Sequence, residues 1–480
     1  MASQRLESRA TPRESVGGIL ADEPTSFDVL ILGGGSGGYA CALRAAELGF
    51  TVALVEEDKV GGTCLHKGCI PTKALLHAGE VADAVRGSAE FGVTASLEGV
   101  DLVGVKAYKD AVVARLYKGL QGLVGSRKIT IIDGHGVLVG PKSVEVDGIR
   151  YEGRYVVLAS GSYSKSLPGL EVDGVRVLAS EHALELERLP RKAVVLGGGV
   201  IGVEFASAWR SFGVDVTILE ALPRLIAAED EACSKALERA FRKRGIAFKT
   251  GAPFTSVSST DSGVTVTVES GDTFDADLLL VAVGRGPTTA GLGYEAQGIS
   301  MDRGFVLTDE RLRTKVEGVY AVGDIVPGMQ LAHRGFQHGI FVAEDIAGLH
   351  PTVINEDGIP RVTYCEPEIS SVGLTEVRAR ERYGDERVET LTYDLAGNGK
   401  SQILRTQGFV KLVREKDGPV VGVHMVGSRV SELVGEAQLI YNWEAFPADV
   451  AALIHMHPTQ TEALGEAHLA LAGKPLHAHS

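Results

Sequence analysis

Apolar positions along this chain follow two rhythms, short unbroken runs of four to six residues and longer stretches repeating every three or four, and the changes between them fall at glycines. The run 27–32 predicts a buried strand. It ends in Gly33-Gly34-Gly35-Ser36-Gly37-Gly38, after which 39–48 has the spacing of an amphipathic helix, Gly49 breaks the rhythm, and 51–55 predicts a second strand closed by Glu56. The succession then recurs: strand 193–196, Gly197-Gly198-Gly199-Val200-Ile201-Gly202, helix 203–212, strand 215–219 and Glu220. In both copies 23 residues separate the first glycine from the acid.

Such a unit has a chemical reading. The first glycine permits the tight turn, the second lets a pyrophosphate approach the backbone, the third lets helix pack on strand, and the acid accepts from a ribose hydroxyl. Gly33, Gly35, Gly38 and Glu56 fill these places once, and Gly197, Gly199, Gly202 and Glu220 fill them again. The repeat predicts two dinucleotides. At the second site a 2′-phosphate would meet the like charge of Glu220, which favours NAD over NADP, with Arg224 nearby as a counter-signal.

Between and beyond the two units the pattern predicts helices at 72–85, 103–123, 232–245 and 331–347, and strands at 129–133, 136–139, 143–146, 155–158, 264–268 and 273–280. Gly161, in the glycine- and serine-rich junction Ala159-Ser160-Gly161-Ser162 that closes the first domain, is a candidate cofactor contact, and Gly284, in Val283-Gly284-Arg285-Gly286-Pro287, follows a strand and stands where ligands collect at a sheet edge. Asp324 ends the strand-like run 318–324 and is either a turn cap or a ligand of a cofactor hydroxyl. From 359 onward the texture is strand-rich, with runs at 409–413 and 420–425 before helices at 431–443 and 459–470. The fold class is therefore α/β: two Rossmann-like nucleotide-binding domains at 27–162 and 163–288, a central domain at 289–352, and a C-terminal α+β domain at 353–480. Residues 1–26, with mixed charge and no apolar signal core, read as a disordered extension.

Composition narrows the function. A formal charge of -14 over 480 residues argues against a nucleic-acid groove and against an anionic membrane surface as partner. No uninterrupted apolar run has the length of a bilayer span, and five cysteines in so long a chain do not make a secreted disulfide scaffold, so the chain reads as cytoplasmic.

Two of those cysteines lie five apart in Gly61-Gly62-Thr63-Cys64-Leu65-His66-Lys67-Gly68-Cys69-Ile70-Pro71-Thr72-Lys73. They could be buried thiols, half a metal site or a disulfide, the metal reading being weakened by the lack of a second close cysteine pair. A disulfide imposes a geometric demand: five residues of regular helix advance about 7.5 Å, whereas bridged Cα atoms lie within about 7 Å. The helix must be tightened or interrupted, and Gly68 is placed to allow it. Lys73, four residues beyond Cys69, would share its helical face. Near the C-terminus, His455-Met456-His457-Pro458-Thr459-Gln460-Thr461-Glu462 offers a capping box from Thr459 to Glu462, or a general base His457 oriented by Glu462, and spacing does not choose between them.

Taken together, the cysteine segment, the two glycine fingerprints, Val-Gly-Arg-Gly-Pro, Val-Gly-Asp and His-Pro-Thr-Gln-Thr-Glu resemble the flavin-dependent pyridine nucleotide disulfide oxidoreductases over about 27–471, and within them the branch that oxidises dihydrolipoyl groups. The resemblance implies FAD on the first fingerprint and NAD on the second. It also implies that Cys64 and Cys69 form a redox disulfide, with Cys64 facing substrate and Cys69 facing the flavin. Lys73 would lie by the flavin edge, paired with Glu204, and Asp324 would meet the ribityl chain. His457, oriented by Glu462, would serve the other subunit's disulfide, so a homodimer would be the catalytic unit and lipoyl domains of 2-oxoacid dehydrogenase complexes its partners. Rival readings are a glutathione-reductase-like or mercuric-reductase-like enzyme and a non-catalytic flavin-binding assembly protein. The chain ends without a vicinal cysteine pair, which counts against mercury chemistry. One departure lies inside the motif: His66 stands where asparagine is commoner, and a ring there is expected to tune the neighbouring thiolate.

Overall fold

The computed structural model describes residues 25–477. Most of the extension proposed at 1–26 thus lies outside the described residues, while Ser26 already belongs to the first strand. The run 27–32 is a strand, Ser26–Leu32, because five of its side chains are fully or almost fully withdrawn from solvent on both sheet faces. It pairs in parallel with Val52–Glu56 on one side and Ile149–Leu158 on the other, and Thr130–Asp133 adds outside Val52–Glu56. Antiparallel strands Ser143–Val146 and Val137–Gly140 extend the sheet beyond Ile149–Leu158.

A later segment completes this layer. Val319–Ala321 joins Ile149–Leu158 in parallel, and the helix Ala332–Ile346 packs on the helix Ser36–Glu47 that follows the first glycine turn. The crossing is close enough that a Cβ on Gly339 would fall 2.2 Å from Gly37 O. Leu292, Tyr294, Ile299, Val306 and Leu312 share the core of the first unit, and within 289–352 Met301–Asp302 and Phe305–Val306 pair as a short antiparallel ribbon.

The second unit is a five-stranded parallel sheet ordered Ala247–Lys249, Asp215–Leu219, Lys192–Leu196, Leu278–Val281 and Val177–Leu178. Here the structure corrects the single strand expected at 273–280. Asp277 accepts from the N–H groups of Arg191 and Lys192, and the chain changes sheets there: Thr273–Ala276 belongs to an antiparallel ribbon with Gly263–Val268 and Phe254–Thr260, and only Leu278–Val281 enters the parallel sheet. Phe254–Thr260, rich in exposed serine and threonine, has no apolar rhythm to announce it.

The C-terminal unit is a five-stranded antiparallel sheet covered by Val430–Asn442 and Glu462–Leu471. The last helix starts at Glu462 and not at Thr459. The Thr459 hydroxyl donates to Met456 O at 2.6 Å instead of capping, whereas Glu462 does reach back to the Thr459 N–H at 2.7 Å. Trp443, Ile454 and Met456 are exposed by 75%, 95% and 67%, an apolar surface without a partner among the described residues of this chain. No helix among the described residues is long and apolar enough to cross a membrane.

Candidate active site

Each glycine turn separates the demands of folding from those of a ligand. Gly33 has φ +109°, and a Cβ there would fall 2.3 Å from Ala159 O; one on Gly38 would fall 1.8 Å from Gly33 O. These two glycines are required by the protein's own packing. Around Gly35 nothing lies within 4 Å of the same position, so a side chain would project into open space beside the head of Ser36–Glu47, where free backbone N–H groups suit a phosphate. The second turn repeats this at Gly197 (2.3 Å from Ala282 O), Gly202 (1.9 Å from Gly197 O) and the open Gly199.

The acids are fixed in the same way. Glu56 accepts from the N–H groups of Gly34 at 2.7 Å and Asp58 at 2.9 Å, and Glu220 accepts from those of Gly198 at 2.5 Å and Leu222 at 2.7 Å. Carboxylates held so keep lone pairs for ribose hydroxyls. Arg224, the counter-signal to NAD, is committed to its own loop: it donates to Glu229 O at 2.8 Å, Ser234 Oγ at 2.6 Å and Ala227 O at 2.7 Å.

Three further left-handed glycines, Gly161, Gly284 and Gly323, also border open space. Beside them Asp324 Oδ2 accepts from Ser162 Oγ at 2.5 Å, and that hydroxyl accepts from Arg285 Nε at 2.7 Å. Asp324 Oδ1 has no hydrogen bond among the described residues, so a cofactor hydroxyl has an acceptor ready there. The open glycines, fixed acids and this unpaired oxygen fit two extended dinucleotides.

Cys64 lies in the short helix Gly62–His66 and Cys69 opens the helix Cys69–Gly87, with the interruption at Lys67 and Gly68 that the bridge geometry demands. The two sulfurs face each other: hydrogen bonding from Cys64 holds the Cys69 thiol below its ordinary pKa against the effect of burial, with Lys73 helping, while the same contact and burial push Cys64 up. The contact biases the shared proton toward Cys64 and makes Cys69 the sulfur that ionises first.

Lys73 Nζ lies 2.8 and 3.0 Å from the two oxygens of Glu204, and that buried carboxylate also accepts the Tyr364 N–H at 2.9 Å. Burial disfavours the ammonium, but Glu204 outweighs it and the Lys73 pKa is raised. Glu204 belongs to the helix Val200–Ser211 of the second glycine turn, so this pair links the cysteine helix to the second unit.

Two aromatic neighbours gave no sequence signal of their role. Tyr39, one turn beyond Gly35, has its hydroxyl pushed up to about 12 by burial and by the adjacent cysteines, and its ring packs on Phe336 at 5.5 Å. Tyr364 places its ring 4.6 Å from Lys73 Nζ. His66, expected to tune the thiolate, is occupied elsewhere. Its Nε2 lies 3.1 Å from Val60 O and its ring meets Tyr117 edge-on at 4.9 Å, and the cation acting on the sulfurs is Lys73.

His457 stands apart from these groups on the C-terminal unit, with its side chain 76% exposed. Its Nδ1 is 2.9 Å from Glu462 Oε1. With that carboxylate as acceptor Nδ1 carries the proton, and Nε2 is left as the base. Burial alone would raise the Glu462 pKa, but the Thr459 N–H and His457 hold it below the ordinary value. A feature missed in the sequence steadies this loop from both sides: Glu436 Oε1 pairs with His455 Nε2 at 2.8 Å and Oε2 accepts from Thr461 Oγ1 at 2.6 Å.

The signature of the pyridine nucleotide-disulphide oxidoreductases matches residues 27–339, and that of their dimerisation domain matches 359–468, which assigns the exposed apolar surface around His457 to a unit used for pairing two copies. A dihydrolipoyl dehydrogenase of Bacillus subtilis (strain 168) is 40% identical over 94% of this chain and 99% of its own length. The mitochondrial dihydrolipoyl dehydrogenase of Pisum sativum is 37% identical over 94% and 92%. Among solved structures, LpdA from Mycobacterium tuberculosis superposes with a TM-score of 0.87 at 26% identity, covering 92% of this chain and 99% of that one. The chain belongs to the pyridine nucleotide-disulphide oxidoreductase family, and is a flavoprotein oxidoreductase with FAD and NAD as its cofactors.

Proposed function

We propose that the protein oxidises protein-bound dihydrolipoyl groups to the lipoyl disulfide, with NAD as final acceptor. The observation that carries this reading is the facing Cys64 and Cys69 pair, at the head of a helix whose Lys73 is ion-paired to Glu204 of the second nucleotide unit. A dithiol couple set between two dinucleotide sites is arranged to receive electrons from a thiol and pass them on. The names of the curated relatives point to the same substrate.

In this reading the turn that Gly33 and Gly38 shape, with Gly35, Glu56, Gly161 and Asp324 facing the ligand, holds FAD, while the turn that Gly197 and Gly202 shape, with Gly199, Glu220 and Gly284, holds NAD. When bound, the two carry the electron pair from the reduced cysteines onward as hydride. The protein's own residues handle thiols and protons. His457 of one subunit, with Nδ1 fixed by Glu462, takes a proton from the substrate dithiol at Nε2. The resulting thiolate attacks Cys64 of the oxidised pair; a substrate–Cys64 bond forms, the Cys64–Cys69 bond breaks, and Cys69 leaves as thiolate beside Lys73. The second substrate thiol then attacks the substrate sulfur bound to Cys64, closing the lipoyl ring, and its proton passes to the departing Cys64 sulfur. Because both substrate sulfurs belong to one group, that closure is effectively unimolecular. Lipoyl domains of 2-oxoacid dehydrogenase complexes are the partners this chemistry suits.

The test is an anaerobic titration of the yellow protein with dihydrolipoamide and then NAD, repeated on His457→Gln. Loss of a positioned acid/base should lower turnover by about a hundredfold to ten-thousandfold. Vigorous reduction of glutathione disulfide with NADPH, and none of NAD by dihydrolipoamide, would replace this reading with a glutathione-reductase-like one.

A further inference from the structure

The short helix that carries Cys64 is pinned at both ends, and its far pin is His66. At the near end Gly61 N–H donates to Gly34 O at 2.8 Å, and Gly62 lies so close that a Cβ on it would fall 2.6 Å from the Cα of Gly35. At the far end His66 Nε2 closes back onto the buried Val60 carbonyl at 3.1 Å, and its ring is held edge-on by Tyr117 of the helix Leu102–Ser126. Lys67 adds an exposed pair to Asp58 at 2.6 Å, worth little by itself. Residues 60–66 therefore form a loop closed on its own backbone and wedged between the first glycine turn and a second helix.

A reduced cysteine pair gains freedom by letting its sulfurs separate, whereas the disulfide needs them together. Restraining the exchange thiol removes that gain and shifts the balance toward the disulfide, since one sulfur already waits beside the other at high effective concentration. Resting on the reading of Cys64 and Cys69 as an exchanging couple, we propose that His66 is a positioning residue, which with Tyr117 holds Cys64 against Cys69 and so keeps the pair readily closed. Closing forms the Cys64–Cys69 bond; two electrons and two protons pass to an external disulfide, whose S–S bond breaks to give two thiols. The role belongs to the donor and ring of His66 together, and the sulfurs' charge balance stays with Lys73.

The FAD-loaded protein is equilibrated anaerobically in glutathione redox buffers, thiols are trapped, and the Cys64–Cys69 peptide is quantified by mass spectrometry. His66→Ala is expected to move the equilibrium toward the dithiol by about three- to tenfold, or about 15 to 30 mV. Tyr117→Leu should move it the same way by less. An unchanged equilibrium in a folded, FAD-loaded His66→Ala protein overturns the proposal. Should that variant lose its flavin, Tyr117→Leu decides, and no shift there overturns it equally. Failure of the dihydrolipoyl reading would appear separately, as a wild-type protein whose cysteines equilibrate with glutathione but do not accept electrons from dihydrolipoamide.

Discussion

The two glycine turns are near copies with different lids. In each, the acid holds the N–H of Gly34 or Gly198, and the carbonyl of that same glycine accepts from a loop folded back over it. In the first unit the donor is Gly61, and the loop continues into the helix bearing Cys64. In the second the donor is Ile226, and the loop brings the fully buried Leu225 onto Gly198, where a Cβ would fall 2.5 Å from its side chain. One scaffold position thus carries the cysteine-bearing helix in one copy and an apolar seal in the other. The duplicated turn binds, and the loop laid over it decides what else the unit does.

The largest effect should come from breaking the lids separately. Cys64→Ser should abolish dihydrolipoamide-dependent NAD reduction while FAD remains bound and the melting temperature barely moves. Leu225→Ala should do the reverse, costing about 3 to 5 kcal/mol in denaturant unfolding for a fully buried leucine, with the thiol exchange step itself intact. If both variants lost activity and stability alike, the division of labour between the lids would be wrong.

A smaller effect sharpens the comparison of the acids. Glu220→Ala should raise the KM for NAD about tenfold, roughly the loss of one charge-assisted hydrogen bond, and should not bring in NADP, because Arg224 is spent on Glu229, Ala227 and Ser234. Steady-state kinetics with both nucleotides would show it. Glu56→Ala should instead leave nucleotide kinetics alone and weaken retention of flavin through dialysis.

The smallest effect concerns the bridge between the units. Lys73 lowers the Cys69 pKa from the positive side, so Lys73→Met should raise it, and the thiolate of the reduced enzyme should appear at a higher pH. Ultraviolet thiolate absorbance across a pH series would follow the shift. A shift to lower pH would mean that removing the charge also released Glu204 from its present position.

Elements with strong local rhythm were legible from sequence. The strand Ser26–Leu32, the helix Ser36–Glu47 and their repeats at Lys192–Leu196 and Val200–Ser211 lie within a few residues of where the pattern puts them. Phe254–Thr260 was not, and neither was the sheet change at Asp277, because exposed polar ribbons carry no burial signal. The cysteine helix with Lys73 follows from spacing within one segment; spacing left His457–Glu462 open beside a capping box, and its choice, like the link from Lys73 to Glu204, came only through family resemblance. Tyr39, Tyr364 and the Glu436 clamp had no signal, since each acts on a group distant in the chain or through packing alone.

By itself the sequence determined the two glycine turns, the acids that close the strands after them and the cysteine pair, because each is a local arrangement whose spacing is set by backbone geometry. Only the tertiary structure decided what those groups face. Folding turned Arg224 into its own loop, set Lys73 between the sulfurs and Glu204, and drew His66 away from the thiolate to a backbone carbonyl and a tyrosine ring. The reason is physical: a side chain's role depends on which donors and charges lie within a few ångströms, and those come from the fold-back of its own loop, as for Arg224 and for His66 on Val60, or from elements far along the chain, as for Lys73 on Glu204 and His66 on Tyr117.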